Sequence, residues 1–310
     1  MSERKKHFDL IRRGEKKPTL SGTLTFVGLR LADIPLQHAL LTPSPSGLGV
    51  RLLTSLGLRT VFTHTSTALP SSLLAPVATL VSTSTPYSHP SSSSSGAAAG
   101  WLTSLPPTSL LLLLMSAGSA AKQIYWHVSL SQDSFPASAA ALVSLYNTVV
   151  NSANALLFLA LGTTSLLSRP HLSLPFSSSS ATTATAGALT LPWSTVVGTL
   201  LYVAGMAIET VSERQRAAFK ARRENKGRVC MEGLWRWARH VNYFGYSLWR
   251  GGYCMVGAGW VGGIAMGLWQ GWDLGHRAVA VQDEYCSNRY GEQWVRFKQE
   301  VPYRIIPGVY

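Results

Sequence analysis

Arg216 and Lys220 stand four residues apart in the polar stretch 213–245, so on a helix both cations project to the same side. Two cations aimed at one point can hold a phosphate. Further along, Arg239 and Asn242 offer a guanidinium fork and an amide, while Trp235, Trp237 and Tyr243 offer flat faces for an aromatic ring. Phosphate, ribose and planar base are the parts of a nucleotide, and these side chains could meet all of them. The same composition also suits a juxtamembrane basic segment lying against anionic lipid headgroups, and both readings stay open at this level.

The elements that must position this stretch are apolar. Charged residues make up 13% of the 310 and hydrophobic ones 46%. Between residues 60 and 208 only Lys122, Asp133 and Arg169 carry charge, which excludes an ordinary soluble surface. Lys and Arg exceed Asp and Glu by 27 to 14, a net +13, but the basic blocks at 1–17 and 209–250 flank apolar runs. That placement is typical of membrane-protein loops and argues against a nucleic-acid partner. The first 17 residues read as a solvated tail, with no apolar run before residue 18 to make a cleavable signal peptide. Cys230, Cys254 and Cys286 have no CxxC spacing, so neither a disulfide framework nor a metal site is expected.

A membrane-crossing helix needs about 20 mostly apolar residues. Residues 189–208 are an uncharged run ending at Glu209. Within the uncharged stretch 134–168, residues 137–166 are long enough to cross, and Asn147, Asn151 and Asn154 share one face that should turn toward protein. A third span, 102–121, runs into Lys122, Gln123, Tyr125 and Trp126, groups suited to the headgroup level, and 60–86 makes a fourth although Pro70 and Pro76 interrupt it. The Ser/Thr-rich segments 82–100 and 177–187 read as flexible loops. In 244–282, Gly259, Gly263, Gly267 and Gly271 recur at every fourth position, among Trp249, Trp260, Trp269 and Trp272. Such a ladder lets helices approach closely; a ligand groove is the other reading. If one ligand is gripped from both 209–243 and 283–310, the residues between must cross and return. That makes a hairpin and about six spans in all. The expected fold is an all-α, polytopic membrane helical bundle with a basic leader (1–59), a transmembrane bundle (60–208) and a C-terminal domain (209–310) whose hairpin and tail bind the cofactor.

The run from Gly233 to Gly245, GLWRWARHVNYFG, resembles the GLW…RHPNYFGE signature of the steroid 5-alpha-reductase C-terminal superfamily, the DUF1295 group. The ending DEYCSNRYGEQWVRFKQEVPYRIIPGVY, residues 283–310, is similar to the tail shared by that group and the C14-type and related sterol reductases. The segment Gln215 to Lys220 resembles their Q-K-x-x-F-R run, and KQIYW at 122–126 also fits the group. The resemblance implies a polytopic protein of the endoplasmic reticulum membrane that binds NADPH in its C-terminal half and reduces a carbon-carbon double bond in a lipid or sterol-like substrate. It places Arg216 and Lys220 on the phosphates and Trp235, Arg239, Asn242, Tyr243 and Gly245 along the cofactor. Asp283, Glu284, Tyr290, Tyr303 and Arg304 would close the site from the tail. Two positions depart from the signature: Val241 replaces its Pro, and Tyr246 replaces the acidic residue after the glycine, so a neutral phenol stands for a carboxylate.

Two other functions share these features. Isoprenylcysteine and phospholipid methyltransferases carry a similar segment with S-adenosylmethionine as cofactor, but that molecule has no phosphate for Arg216 and Lys220. A member of the fold that binds lipid without turnover is the other, suggested by Tyr246. The sequence leaves the proton donor open among Tyr125, Tyr146 and Tyr243, and leaves the substrate and oligomeric state unassigned.

Overall fold

The computed structural model describes residues 19–61, 105–131, 133–161, 163, 171–176 and 187–310. The described part is an all-α bundle with one antiparallel two-stranded ribbon, β1 (His171–Phe176) and β2 (Gly187–Pro192). Among the described residues, three helical segments are long and apolar enough to cross a membrane: Ala137–Leu159, Trp193–Ala221 and Val241–Tyr290. The expected span at 60–86 lies outside the described residues.

Helix α1 (Leu20–Leu41) falls in the stretch grouped with the basic leader and carries Arg30 and Asp33. Both are buried in the structure, at 0% and 2% exposure, and form an ion pair at 3.2 Å. After the short α2 (Leu48–Ser55), α3 (Pro107–Tyr125) ends in a π-helical turn, Trp126–Leu130. Helix α4 (Ala137–Leu159) turns Asn147, Asn151 and Asn154 inward, all buried, and leaves Leu142, Leu145, Val149 and Leu157 exposed. Amides inside and leucines outside is the arrangement that lipid selects.

Helix α5 (Trp193–Ala221) begins after β2, so the apolar run expected from 189 opens as strand, and the helix continues past Glu209 into the basic block. It therefore carries Arg216 and Lys220 out of the apolar layer on a rigid rod. Helix α6 (Val241–Asp273) is broken at Ala258 and Gly259, where Gly259 takes φ +68°. The break makes the expected hairpin. Its first arm, 241–257, is about 26 Å long at 1.5 Å per residue. A Cβ on Gly251 would come within 3.0 Å of the Gly263 carbonyl oxygen, and one on Gly263 within 2.3 Å of the Met255 Cβ. Gly251 and Gly263 thus serve packing between the arms, while Gly263, Gly267 and Gly271 of the ladder also line an apolar cavity of about 470 Å³. The same economy joins α5 to α6, since a Cβ on Gly205 would lie 2.4 Å from the Trp249 nitrogen.

Beyond a second π-helical turn, Leu274–Ala278, come α7 (Val279–Tyr290) and α8 (Glu292–Glu300). The tail then returns to the start of the hairpin: the Arg239 and His240 amides donate to the Tyr303 and Arg304 carbonyls at 3.0 and 2.8 Å. Both ends of the hairpin therefore meet on one side.

Candidate functional site

A cleft of about 250 Å³ opens where α5 leaves the apolar layer, walled by Glu213, Arg216 and Lys220 on one side and by Gln282, Tyr285 and Arg289 of α7 on the other. Its third wall is the segment after α3, including Trp126, Ser129 and Asp133. A smaller recess of about 60 Å³ continues from it past Trp235, Arg239, His240 and Tyr290. Of the predicted residues, these two spaces bring together Arg216, Lys220, Trp235, Arg239 and Tyr290.

Arg216 is fixed from two directions: it donates to Glu213 Oε2 at 2.5 Å and stacks 4.9 Å from the Trp235 ring centre. Trp235 is held in turn by its indole N–H on the Ser212 carbonyl oxygen at 2.8 Å. Its neighbour Leu234 donates its backbone N–H to Gln215 Oε1 at 2.9 Å, and Gly233, at φ +59°, lets that side chain approach. Glu213 also accepts from Asn242 Nδ2 at 2.9 Å, which leaves Asn242 Oδ1 buried and without a partner. Among the described residues Lys220 has no ion-pair partner, and Arg289 contacts the Tyr285 hydroxyl and the Tyr285 and Tyr290 rings but no carboxylate. A cleft with an excess of cations fits a ligand carrying phosphates, and the orphaned Asn242 acceptor lies beside it, bonded to its Glu213 wall but not lining it.

Other predicted residues are placed differently. Arg239 donates Nη1 to the Val301 and Pro302 carbonyl oxygens at 2.5 and 3.0 Å, so much of its fork is spent clamping the tail. Burial, and after it the like-charged Arg304, push this guanidinium below its ordinary value, with Asp283 opposing. Tyr243 stacks on His240 with ring centres 5.2 Å apart. Gly245 faces α5, where a Cβ would sit 2.7 Å from the Glu209 nitrogen, so its bareness serves helix contact. Asp283 accepts the Trp294 indole N–H at 2.6 Å and pairs with Lys298 at 3.5 Å, and Glu284 is exposed. Tyr303 is exposed, contributing its carbonyl oxygen to Arg239, and Arg304 donates to the Tyr310 hydroxyl at 3.0 Å.

The cleft residues that sequence reasoning missed are Glu213, Gln282, Tyr285, Arg289 and the loop after α3. A signal existed for α7: Gln282, Tyr285 and Arg289 recur at intervals of three and four, one helical face, whereas Asp283 and Glu284 lie off it. Cys230 and Cys286 border the recess, and burial raises the Cys230 thiol, which keeps it protonated.

Residues 142–269 match the family described as Protein of unknown function (DUF1295). The chain is 30% identical over 173 residues to the probable O-methyltransferase ustE of Ustilaginoidea virens, covering 55% of each protein. It is 31% identical over 160 residues to the Delta(14)-sterol reductase of Neurospora crassa, covering 37% of the chain and 32% of the reductase. It is 32% identical over 88 residues to the 7-dehydrocholesterol reductase of Danio rerio, covering 28% of the chain and 18% of that protein. The chain thus spans about half the length, or less, of these relatives. The DUF1295 match covers residues 142–269, less than half of a chain whose described part is an all-α, membrane-like bundle.

Proposed function

We propose that the chain is an NADPH-dependent reductase of a carbon-carbon double bond in a lipid or sterol-like molecule, working in the endoplasmic reticulum membrane. The observation that carries this reading is the cleft at the end of α5, where Arg216, Lys220 and Arg289 converge and Lys220 and Arg289 have no carboxylate counter-ion among the described residues. The likeness to sterol reductases supports it. NADPH would supply the hydride. Arg216, oriented by Glu213 and Trp235, and Lys220 and Arg289 opposite, would hold its phosphates. Asn242 Oδ1 would accept from an amide or ribose hydroxyl. The tail, clamped by Arg239, would keep water from the recess. About six crossings, counted with the expected span at 60–86 that lies outside the described residues, belong to this reading.

A second reading, a membrane O-methyltransferase using S-adenosylmethionine, is favoured by the alignment with ustE. One incubation separates them. Purified chain in lipid nanodiscs, given a neutral-lipid extract with either 4-deuterated NADPH or methyl-labelled S-adenosylmethionine, should transfer deuterium to a lipid carbon. Transfer of the methyl group alone overturns the reductase reading.

A further inference from the structure

Arg250 is 0% exposed in the centre of the bundle. Its Nη2 donates to Asn147 Oδ1 at 2.5 Å and to the Tyr246 phenol oxygen at 3.2 Å, and its Nη1 to Asn151 Oδ1 at 3.3 Å. The guanidinium also lies 4.4 Å from the Trp249 ring centre. None of these partners is a carboxylate. Asp33 is one amide away, accepting from Asn151 Nδ2 at 2.7 Å, but it is already paired with Arg30. Arg30, Asp33 and Arg250 are all buried, so two positive charges face one negative and the cluster keeps an excess of one. An uncompensated charge buried within a membrane bundle is costly, and a group that can become an anion beside it relieves the cost.

The Tyr246 oxygen is such a group. It accepts the Arg250 N–H, which leaves its own hydrogen to be given elsewhere, and its side chain is only partly buried. Tyr146 gives its hydrogen to Gln270 Oε1 at 2.8 Å, and Tyr202 gives its own to the Met115 carbonyl oxygen at 2.7 Å. Tyr246 also follows Asn242 by one helical turn, about 6 Å deeper along α6 than the amide bonded to the cleft residue Glu213. It lines neither the cleft nor the recess but sits one turn into the apolar bundle from them, packed against the core, at the position where the DUF1295-type signature has an acid.

We propose that Tyr246 is the proton donor of the reduction and Arg250 its positioning residue, a proposal that rests on the reductase reading. The Tyr246 O–H bond breaks and the proton joins one carbon of the lipid double bond, using the π pair. The other carbon receives the hydride supplied by NADPH, so the lipid gains two electrons and NADPH becomes NADP+. The pair left on Tyr246 makes a phenolate beside Arg250, where its charge cancels the buried excess, and a proton from solvent restores the phenol.

The test uses the full chain in nanodiscs with NADPH and a neutral-lipid extract of cells lacking the protein. It reads the rate of lipid reduction, the KM for NADPH, and NADPH affinity from tryptophan quenching. Tyr246→Phe should lower kcat about 100-fold or more, the usual worth of a general acid, with KM and affinity within about twofold of wild type. Arg250→Lys should retain more of kcat than Arg250→Met, both with unchanged NADPH affinity. A Tyr246→Phe rate within threefold of wild type overturns the assignment and leaves the reductase reading standing. A Tyr246→Phe loss matched by lost NADPH affinity also overturns it, because the effect is then structural. Wild-type protein that binds no NADPH overturns the reductase reading itself.

Discussion

Replacing Arg239 by Ala should release the C-terminal tail even when no cofactor is present. Its Nη1 donates to the Val301 and Pro302 carbonyl oxygens at 2.5 and 3.0 Å, and Val301 is buried at 4% exposure. A hydrogen bond from a charged donor contributes about 1.5–3 kcal/mol. Water can replace the donor at exposed Pro302 but not at Val301, so the loss is close to one such bond plus a fraction, about 2–3 kcal/mol. At 1.4 kcal/mol per factor of ten, local opening of the tail rises roughly 30- to 150-fold. The Ile305 and Ile306 amides, which donate to the Tyr310 carbonyl oxygen at 2.8 and 2.9 Å, report that opening by hydrogen exchange. They should exchange about 50-fold faster in Arg239→Ala without NADPH, while amides of α4 and α5 stay unchanged. Exchange within twofold of wild type would refute the clamp.

Gly205→Ala puts a Cβ 2.4 Å from the Trp249 nitrogen and 2.5 Å from the Gly245 carbonyl oxygen, so α5 and α6 must separate and the melting temperature should fall by several degrees. Lys220→Ala should weaken NADPH binding about tenfold and flatten its salt dependence, readable by titration at two ionic strengths. Glu209→Gln leaves Lys122, 9% exposed, without its counter-ion and should cost about 3 kcal/mol in denaturant unfolding, whereas adding Lys122→Met should recover most of it. Burial holds the His127 imidazole below its ordinary pKa, with Nδ1 unpartnered and Nε2 against Thr23 at 2.9 Å. The unfolded state then binds the extra proton, so stability is held above about pH 6.5 and lost as the pH falls below it. Thermal melts of His127→Phe should lack that acid limb.

Periodicity made the inward amides of α4 and the paired cations of α5 legible, because each rests on spacing along one helix, while the hairpin followed from requiring 209–243 and 283–310 on one side. The cleft was legible only in part. Asp283 and Glu284 carry charge and drew the eye, yet the α7 face toward the cleft is neutral except for Arg289, and charge alone does not reveal facing. Gly245 shows the converse, a glycine inside a ligand-like signature whose close approach is to another helix. The buried Arg30–Asp33 and Arg250 cluster was hidden for a different reason. An ionic side chain looks the same in sequence whether water or a partner 99 residues away, as Asn151 is from Arg250, satisfies it. Only the assembled bundle tells the two apart.

The cleft beside α5 is proposed as a phosphate-binding cofactor site. Its most direct test is a side-by-side titration of the full chain with NADPH and with S-adenosylmethionine, for wild type and Lys220→Ala. Saturable NADPH binding that Lys220→Ala weakens, with little response to S-adenosylmethionine, is the expected result. Tight S-adenosylmethionine binding that Lys220→Ala leaves untouched, with none for NADPH, would contradict it.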